Sequence, residues 1–438
     1  MQRRSSVVLV LLLLAFLPFS AAAGNFKVGF AKRDITPQKP MPMWGYGARH
    51  DALSVGVLDP LHAKAVVIEA TPEKLAIVGL DLGRSPSASD MEHIRKEVKA
   101  SAGVTYILMS GSHTHHGPVL ELKDEPGKGK GKFDDAVAYV PELVGKLIDV
   151  IVEAAGNAKD ARIGWGSEQV DMNRNRQSKI EPKPRDTELS VLRFDSEAGK
   201  PIALVVNFAA HPTMLDAADL RFSAEYPGQM MNAVETTLGT DCVFMQGSAG
   251  DMSVKATEDS KGIEGFGKAL AEKVIGIAAK IETNVPKDPS IKGMEEDFEF
   301  TSRVDLRNPV IKLMLANAFF PELANAFQDD VGDNKLRPHL TTVLVNGNLA
   351  LVGSSGEFFS NHSNRLKERC RAEKTLFFGY CNGHHMYFPT IEAAAEGGYG
   401  ADQTVSWVSL GAGELMMNRA LINLYTMMGK FTPPPTNP

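Results

Sequence analysis

The chain has 438 residues, 43% of them hydrophobic and 23% charged, and carries a net charge of −6. That acidic balance argues against a nucleic-acid partner, and three cysteines are too few for a disulfide scaffold. The length suits one large α/β domain or two ordinary ones.

The chain opens with Met1-Gln2-Arg3-Arg4, an apolar run from Val7 to Phe19 and the small residues Ser20 to Gly24. This is the pattern of a secretory signal peptide over 1–23, cut after Ala23. The apolar run is shorter than the roughly 20 residues of a membrane span. A secreted or periplasmic protein is expected, and its charge becomes −8 when Arg3 and Arg4 leave with the leader. Short apolar runs predict strands at 63–68, 75–80, 104–109, 202–208, 242–245, 340–345, 349–352 and 376–378. Helical periodicity predicts helices at 90–100, 141–155, 227–238, 263–281 and 361–368. Pro141 and Pro227 suit first-turn positions, and Gly239 suits a helix stop. Phe266, Leu270, Val274 and Ala278 share one helix face and should dock on a core. Asn346-Gly347 predicts a two-residue hairpin turn. The stretch Pro126 to Lys132 alternates Gly and Lys and reads as a loop, either a solvated insertion or a lid beside a site. In an oxidising compartment Cys370 and Cys381 have the option of pairing, and Cys242 reads as a buried small hydrophobe. The pattern predicts an α/β (mixed α+β) fold with mixed sheets and flanking helices. Residues 24–430 are expected to form a single domain, and 431–438, with Pro433-Pro434-Pro435, a tail.

Chemistry concentrates where strands end. The strand at 104–109 runs into Ser110-Gly111-Ser112-His113-Thr114-His115-His116-Gly117-Pro118. The others run into Ala209-Ala210-His211-Pro212, into Gly250-Asp251-Met252-Ser253, into Gly353-Ser354-Ser355-Gly356-Glu357 and into Gly379-Tyr380-Cys381-Asn382. Active sites of α/β proteins gather outside the carboxyl ends of strands, and small residues there let a backbone approach a ligand. His113, His211 and Glu357 would make a His₂Glu set for zinc with a position left for water. The competing readings are a buried, hydrogen-bonded His211 and a Glu357 placed at a helix N-terminus by the dipole. Ser253 reads either as a nucleophile with a nearby His as base or as a turn residue bonded to its own backbone.

In these motifs the chain resembles the neutral/alkaline, non-lysosomal ceramidases. Gly29-Phe30-Ala31-Lys32-Arg33-Asp34-Ile35-Thr36 resembles that family's opening, and Trp44-Gly45-Tyr46 continues it. His113-Thr114-His115 with Gly117-Pro118 resembles its His-Thr-His-Ser-Gly-Pro, and Asn173-Arg174 its Asn-Arg-Ser. Phe208-Ala209-Ala210-His211-Pro212, Gly250-Asp251-Met252-Ser253, Gly356-Glu357-Phe358 with Arg365-Leu366, and Asn382 with Tyr387 follow in the family's order. His116, the Met252-Ser253-Val254-Lys255 turn, Ser355, His384 and Met386 depart from its usual residues.

The resemblance implies one Zn²⁺ held by His113, His211, Glu357 and Tyr387. It places His115 beside the reacting oxygen, Arg174 on the site lining and Ser253 at a serine once argued to be a nucleophile. It implies a ceramidase-like catalytic domain without the family's C-terminal immunoglobulin-like domain. The implied activity is zinc-dependent hydrolysis of an N-acyl, ceramide-like amide by activated water. His115 is then the first candidate to protonate the leaving amine and Asp251 the second. The implied partner is a small-molecule or lipid N-acyl substrate, met with transient membrane-surface contact. The alternatives are a zinc hydrolase of the same fold acting on a non-lipid amide or ester, and a non-catalytic secreted binding protein.

Overall fold

In the computed structural model, which describes residues 26–330 and 333–431, two facing sheets organise the chain. Their strands are β1 (Phe26–Asp34), β2 (His62–Ala70), β3 (Glu73–Leu80), β4 (Tyr106–Gly111), β5 (Lys159–Gln169), β6 (Glu188–Ser196), β7 (Pro201–Phe208), β8 (Asp241–Gln246), β9 (Ile291–Asp297), β10 (His339–Val345), β11 (Leu349–Ser354) and β12 (Lys374–Phe378). The first eight form one sheet in the order β8-β7-β6-β5-β1-β2-β3-β4, and the last four a second in the order β9-β10-β11-β12. Pairing is parallel at β3–β4, β7–β8 and β11–β12 and antiparallel elsewhere in the two sheets.

Side chains two apart on a strand share a face, and the core follows that rule. Val66, Ile68, Ile77, Val205 and Val243 point inward and meet Val343, Val345, Leu349, Leu351 and Phe378 of the smaller sheet. Gly353 marks how closely the sheets approach: a Cβ there would lie 2.5 Å from Leu108 Cδ2 and 2.6 Å from Cys381 Sγ. The intervening residues of the large sheet point outward, onto α1 (Ala88–Ala102) and α2 (Asp134–Gly156) at one end. At the other end they meet α3 (Glu225–Leu238) and α4 (Gly262–Ala278). A helical pair, α5 (Pro309–Ala318) and α6 (Pro321–Asp330), follows β9; α7 (Ser360–Arg369) and α8 (Ala412–Met427) cover the outer face of the small sheet. The result is a mixed α/β fold of the expected class.

Several local expectations change. Helix α2 begins at Asp134, so Pro141 lies inside it. Asp134 and Asp135 in its first turn complement the positive end of the helix dipole, and the helix tolerates one missing N–H at Pro141. Val345 pairs with Leu349, so the hairpin loop has three residues, with Asn346 and Gly347 both at positive φ (51° and 74°). The Gly/Lys stretch contains a small ladder between Lys123–Pro126 and Gly129–Lys130. All three cysteines are free and buried. The expected leader at 1–23 and the tail beyond Phe431 lie outside the described residues. Among the described residues no helix is long and apolar enough to cross a membrane.

Candidate metal centre

The candidate ligands come from the carboxyl ends of strands in both sheets. Beyond β4, Ser112 and His113 donate backbone N–H groups to Leu80 O (2.7 Å) and Leu82 O (3.0 Å). His113 turns to a φ of 68°, which aims its ring inward. Beyond β7, His211 is bridged to Ser253. Beyond β11, Glu357–Phe358 pairs in parallel with Tyr387–Phe388, setting Glu357 directly opposite Tyr387.

These side chains converge. Glu357 Oε2 lies 3.3 Å from His113 Nε2 and 3.2 Å from His211 Nε2. Tyr387 Oη is 3.5 Å from His211 Nε2, and the two rings are parallel to within 3°. His113 Nδ1 donates to Gly83 O (2.8 Å) and His211 Nδ1 to Ala249 O (2.6 Å). A carbonyl oxygen can only accept, so both protons sit on Nδ1 and both Nε2 lone pairs face the common centre. His384 Nε2 reaches Glu357 Oε1 at 3.3 Å and is buried without a hydrogen-bond partner. His115 Nε2 lies 3.4 Å from His113 Nε2. The groups His113–His115–His211 and His113–Glu357–His384 each offer ligand atoms within 4.8 Å of one another. Imidazole nitrogens, one carboxylate and a phenol suit a borderline divalent cation such as zinc, so the donors present fit the group.

Burial favours neutral imidazoles here. It pushes His211 down to about 3, with Arg176 adding to the shift. Burial and the neighbouring His113 and His211 put His115 well below its ordinary value. Burial also works against the Glu357 carboxylate; protons on the facing nitrogens of His113, His211 and His384 would hold the group well below the usual carboxylate range, and where those nitrogens carry lone pairs a bound cation takes over that role. Burial, reinforced by Glu357, keeps the Tyr387 phenol protonated far above neutrality. A buried anion ringed by neutral lone pairs is a cation-binding arrangement.

The other predicted residues are placed differently. Arg174 is exposed on the short strand Asn173–Asn175; the arginine of the site is Arg176. Its Nη2 donates to His211 Nε2 (2.9 Å), Gly250 O (3.0 Å) and Tyr387 Oη (3.1 Å). The chain reaches it through a turn in which Asn175 Oδ1 accepts from Gln177 N and Ser178 N, both at 2.8 Å. Asp251 faces away from the histidines. Its carboxylate accepts from Ser360 N (2.7 Å), Ser360 Oγ (2.9 Å) and Asn175 Nδ2 (2.7 Å), a set that ties three segments together. Ser253 is half-buried opposite Arg174, and its hydroxyl has no imidazole partner among the described residues. The residues missed are Arg176, His384 and Trp44. Trp44 packs edge-on against His113, His115 and His384 and is anchored by Nε1 on Glu121 Oε1 (3.0 Å). The second Asn-Arg pair at 175–176 was the available signal for the first; the His384-His385 pair was the signal for the second.

No family model matches this sequence, and no curated protein does either. Solved structures match the fold. The neutral ceramidase from Pseudomonas aeruginosa has a TM-score of 0.75 at 18% identity, over 94% of this chain and 76% of that one. A ceramidase complexed with C2 has a TM-score of 0.76 at 18% identity, over 93% of this chain and 76% of that one. The fold is that of the neutral ceramidases. Within this ceramidase fold the cavity in front of the cluster is lined on one side by Trp44, Tyr46, His113, His115 and Glu357, and on the other by residues of α6 and the turn before it.

Proposed function

We propose that this chain is a zinc-dependent amidohydrolase that cleaves the N-acyl amide bond of a ceramide-like substrate. The observation that carries the proposal is the convergence of His113, His211, Glu357 and Tyr387 from four separate strand ends onto one buried point. Zinc, when bound, supplies Lewis acidity, lowering the pKa of water toward about 7 and polarising a carbonyl. His113, His211 and Glu357 would hold it, with Tyr387 or His384 as the further donor.

The chain's own groups do the rest. His115 is neutral, so it enters the reaction as an acceptor: it takes a proton at Nε2 from the attacking water and returns it to the departing nitrogen. The protonated Tyr387 hydroxyl, whose oxygen accepts from Arg176 Nη2, donates to a carbonyl oxygen as it gains negative charge. Trp44 and Tyr46 wall the histidines from bulk water. Ser253, without a base, is left to orient substrate. The proposal places the enzyme outside the cytoplasm, in transient contact with lipid surfaces, on the strength of the leader-like sequence and the apolar substrate.

A second reading, a zinc hydrolase acting on a smaller, non-lipid amide or ester, is favoured by one feature: the cavity has only about 50 Å³ of free space. Metal analysis of the gently purified protein, with hydrolysis of N-hexadecanoyl and N-acetyl sphingoid amides in detergent micelles, tests both. Near-stoichiometric zinc with release of hexadecanoate supports the first reading. Turnover of the short amide alone supports the second, and zinc without turnover of either removes both.

A further inference from the structure

The cavity is small because a helical hairpin roofs it. Phe319 and Phe320 in the α5–α6 turn, and Leu323 and Phe327 on α6, face the metal centre across it. Small-molecule sites usually offer roughly 300–1,000 Å³, so about 50 Å³ excludes a long acyl chain while the roof is in place.

The attachment of this hairpin differs from that of the strands beneath it. None of the ten residues of α5 is buried. Val310, Leu313 and Met314 are 64%, 61% and 57% exposed, while Ile311 and Leu315 lean on the core under α8. The helix is therefore apolar on both sides, with no protein over its outer side among the described residues. Its polar ties are few and lie at the surface. His50 Nδ1 donates to Phe319 O (2.6 Å), Asn325 Nδ2 donates to Gly127 O (2.7 Å), and Lys132 pairs with Glu322 (3.1 Å) and Asp51 (2.9 Å). Exposed ties of this kind contribute at most about 1 kcal/mol each. Helix α5 and the polar ties thus belong to the low-stability end of a native structure, from which lids are drawn, while α6 is anchored by its inner face, Phe320 against Phe133 and Phe327 against Trp407. The Gly/Lys stretch at 126–132 thus acts as the clasp on which α6 rests.

We propose that α5–α6 is a gate over a latent acyl slot, and that Phe319, Phe320, Leu323 and Phe327 are the residues that contact the acyl chain once the gate lifts. The inference rests on the acyl-amide reading above and adds what selects the acyl group. With the hairpin closed only a short acyl group reaches the metal centre; with it raised, the four side chains exchange their contacts with the core, Phe133 and Trp407 among them, for contacts with a chain.

The test uses the full chain carrying Lys132→Cys and Glu322→Cys, linked by a short bismaleimide; Lys132 is exposed, Glu322 is partly exposed, and the three native cysteines are buried. Equilibrium binding of dodecanoate is measured with and without the link, beside hydrolysis of N-hexadecanoyl and N-acetyl sphingoid amides. A gate held shut lowers the population of the binding-competent state, so dodecanoate should bind at least about tenfold more weakly to the linked protein. Long-chain turnover should fall in parallel while the short amide stays within about twofold, and protein capped with N-ethylmaleimide should behave as unmodified. Equal dodecanoate binding with and without the link overturns the gate. If no form hydrolyses any amide but dodecanoate binding still follows the link, the hydrolase reading fails and the gate stands.

Discussion

Replacing Arg176 by alanine separates the two Asn-Arg pairs by their consequences. Arg176 Nη2 faces three acceptors, His211 Nε2, Gly250 O and Tyr387 Oη, at 2.9–3.1 Å. One Nη2 carries two hydrogens, so about two full charge-assisted bonds are available, each contributing roughly 1.5 kcal/mol or more. Losing them should destabilise the protein by about 3 kcal/mol, less whatever is regained by no longer burying part of a guanidinium. Arg174 is exposed, and its alanine variant should change stability by less than about 0.5 kcal/mol. The assay pairs urea unfolding with zinc titration and amide turnover on both variants. Arg176→Ala should lose stability and turnover but keep or tighten zinc binding, because it frees the His211 lone pair and removes a nearby positive charge. Arg174→Ala should match the parent in all three. A variant pair in which Arg174→Ala loses turnover and Arg176→Ala does not would refute this assignment of the site arginine.

Glu357→Gln removes the anion that His113, His211 and His384 surround, so zinc content and turnover should disappear together; atomic absorption of the purified variant checks it, and retained zinc would exclude Glu357 as a ligand. His384→Ala decides the further donor: zinc affinity lowered by more than about a hundredfold, beyond the range of outer-shell changes, makes His384 a ligand, whereas unchanged or less affected affinity leaves that place to Tyr387. Asp251→Asn should cost about 1–3 kcal/mol, because an amide cannot accept from all of Ser360 N, Ser360 Oγ and Asn175 Nδ2; with melting measured beside turnover, an activity loss at unchanged stability would return Asp251 to the role of proton donor. Burial and Arg176 push His211 from 6.5 to about 3, so between those values the unfolded chain binds the extra proton. The zinc-free protein should therefore hold its full His211 contribution above pH 6.5 and lose about 1.4 kcal/mol per pH unit below it. A urea midpoint falling equally in parent and His211→Gln between pH 7 and 5 would contradict this.

What could be read without coordinates was local. His113, His211 and Glu357 each follow a short apolar run closed by small residues, and such a signal survives in a string of letters; Tyr387, nine residues past the run that ends at Phe378, is implied only by the resemblance to the ceramidases. Arg176 could not be told from Arg174 in that way, because Asn-Arg occurs twice in a row; only the turn built on Asn175 Oδ1 sends the second arginine inward. Strand β5 escaped because Ala161-Arg162-Ile163-Gly164-Trp165-Gly166 lacks an apolar run. Its Gly164 is needed where a Cβ would lie 2.4 Å from Glu282 O, a close approach visible only in three dimensions. Helices α5 and α6 escaped for the opposite reason: apolar residues on both sides of α5 blur the periodicity by which an amphipathic helix is recognised. The pairing of Glu357 with Tyr387 joins positions thirty residues apart, beyond any local rule.

The candidate donors are split evenly across the seam of the sandwich, two nitrogens hung from the larger sheet and two oxygens from the smaller. An ion shared among them would act as a rivet between the halves, and its hold would depend on how the layers are spaced. Gly353 sits in that seam without touching the donors. A methyl group added there would have to gain roughly 1 Å from Leu108 to reach ordinary contact distance. A wedge so placed would slacken the rivet from a distance, and hydrolysis would register a misfit in the packing that no inspection of the ligands alone would reveal.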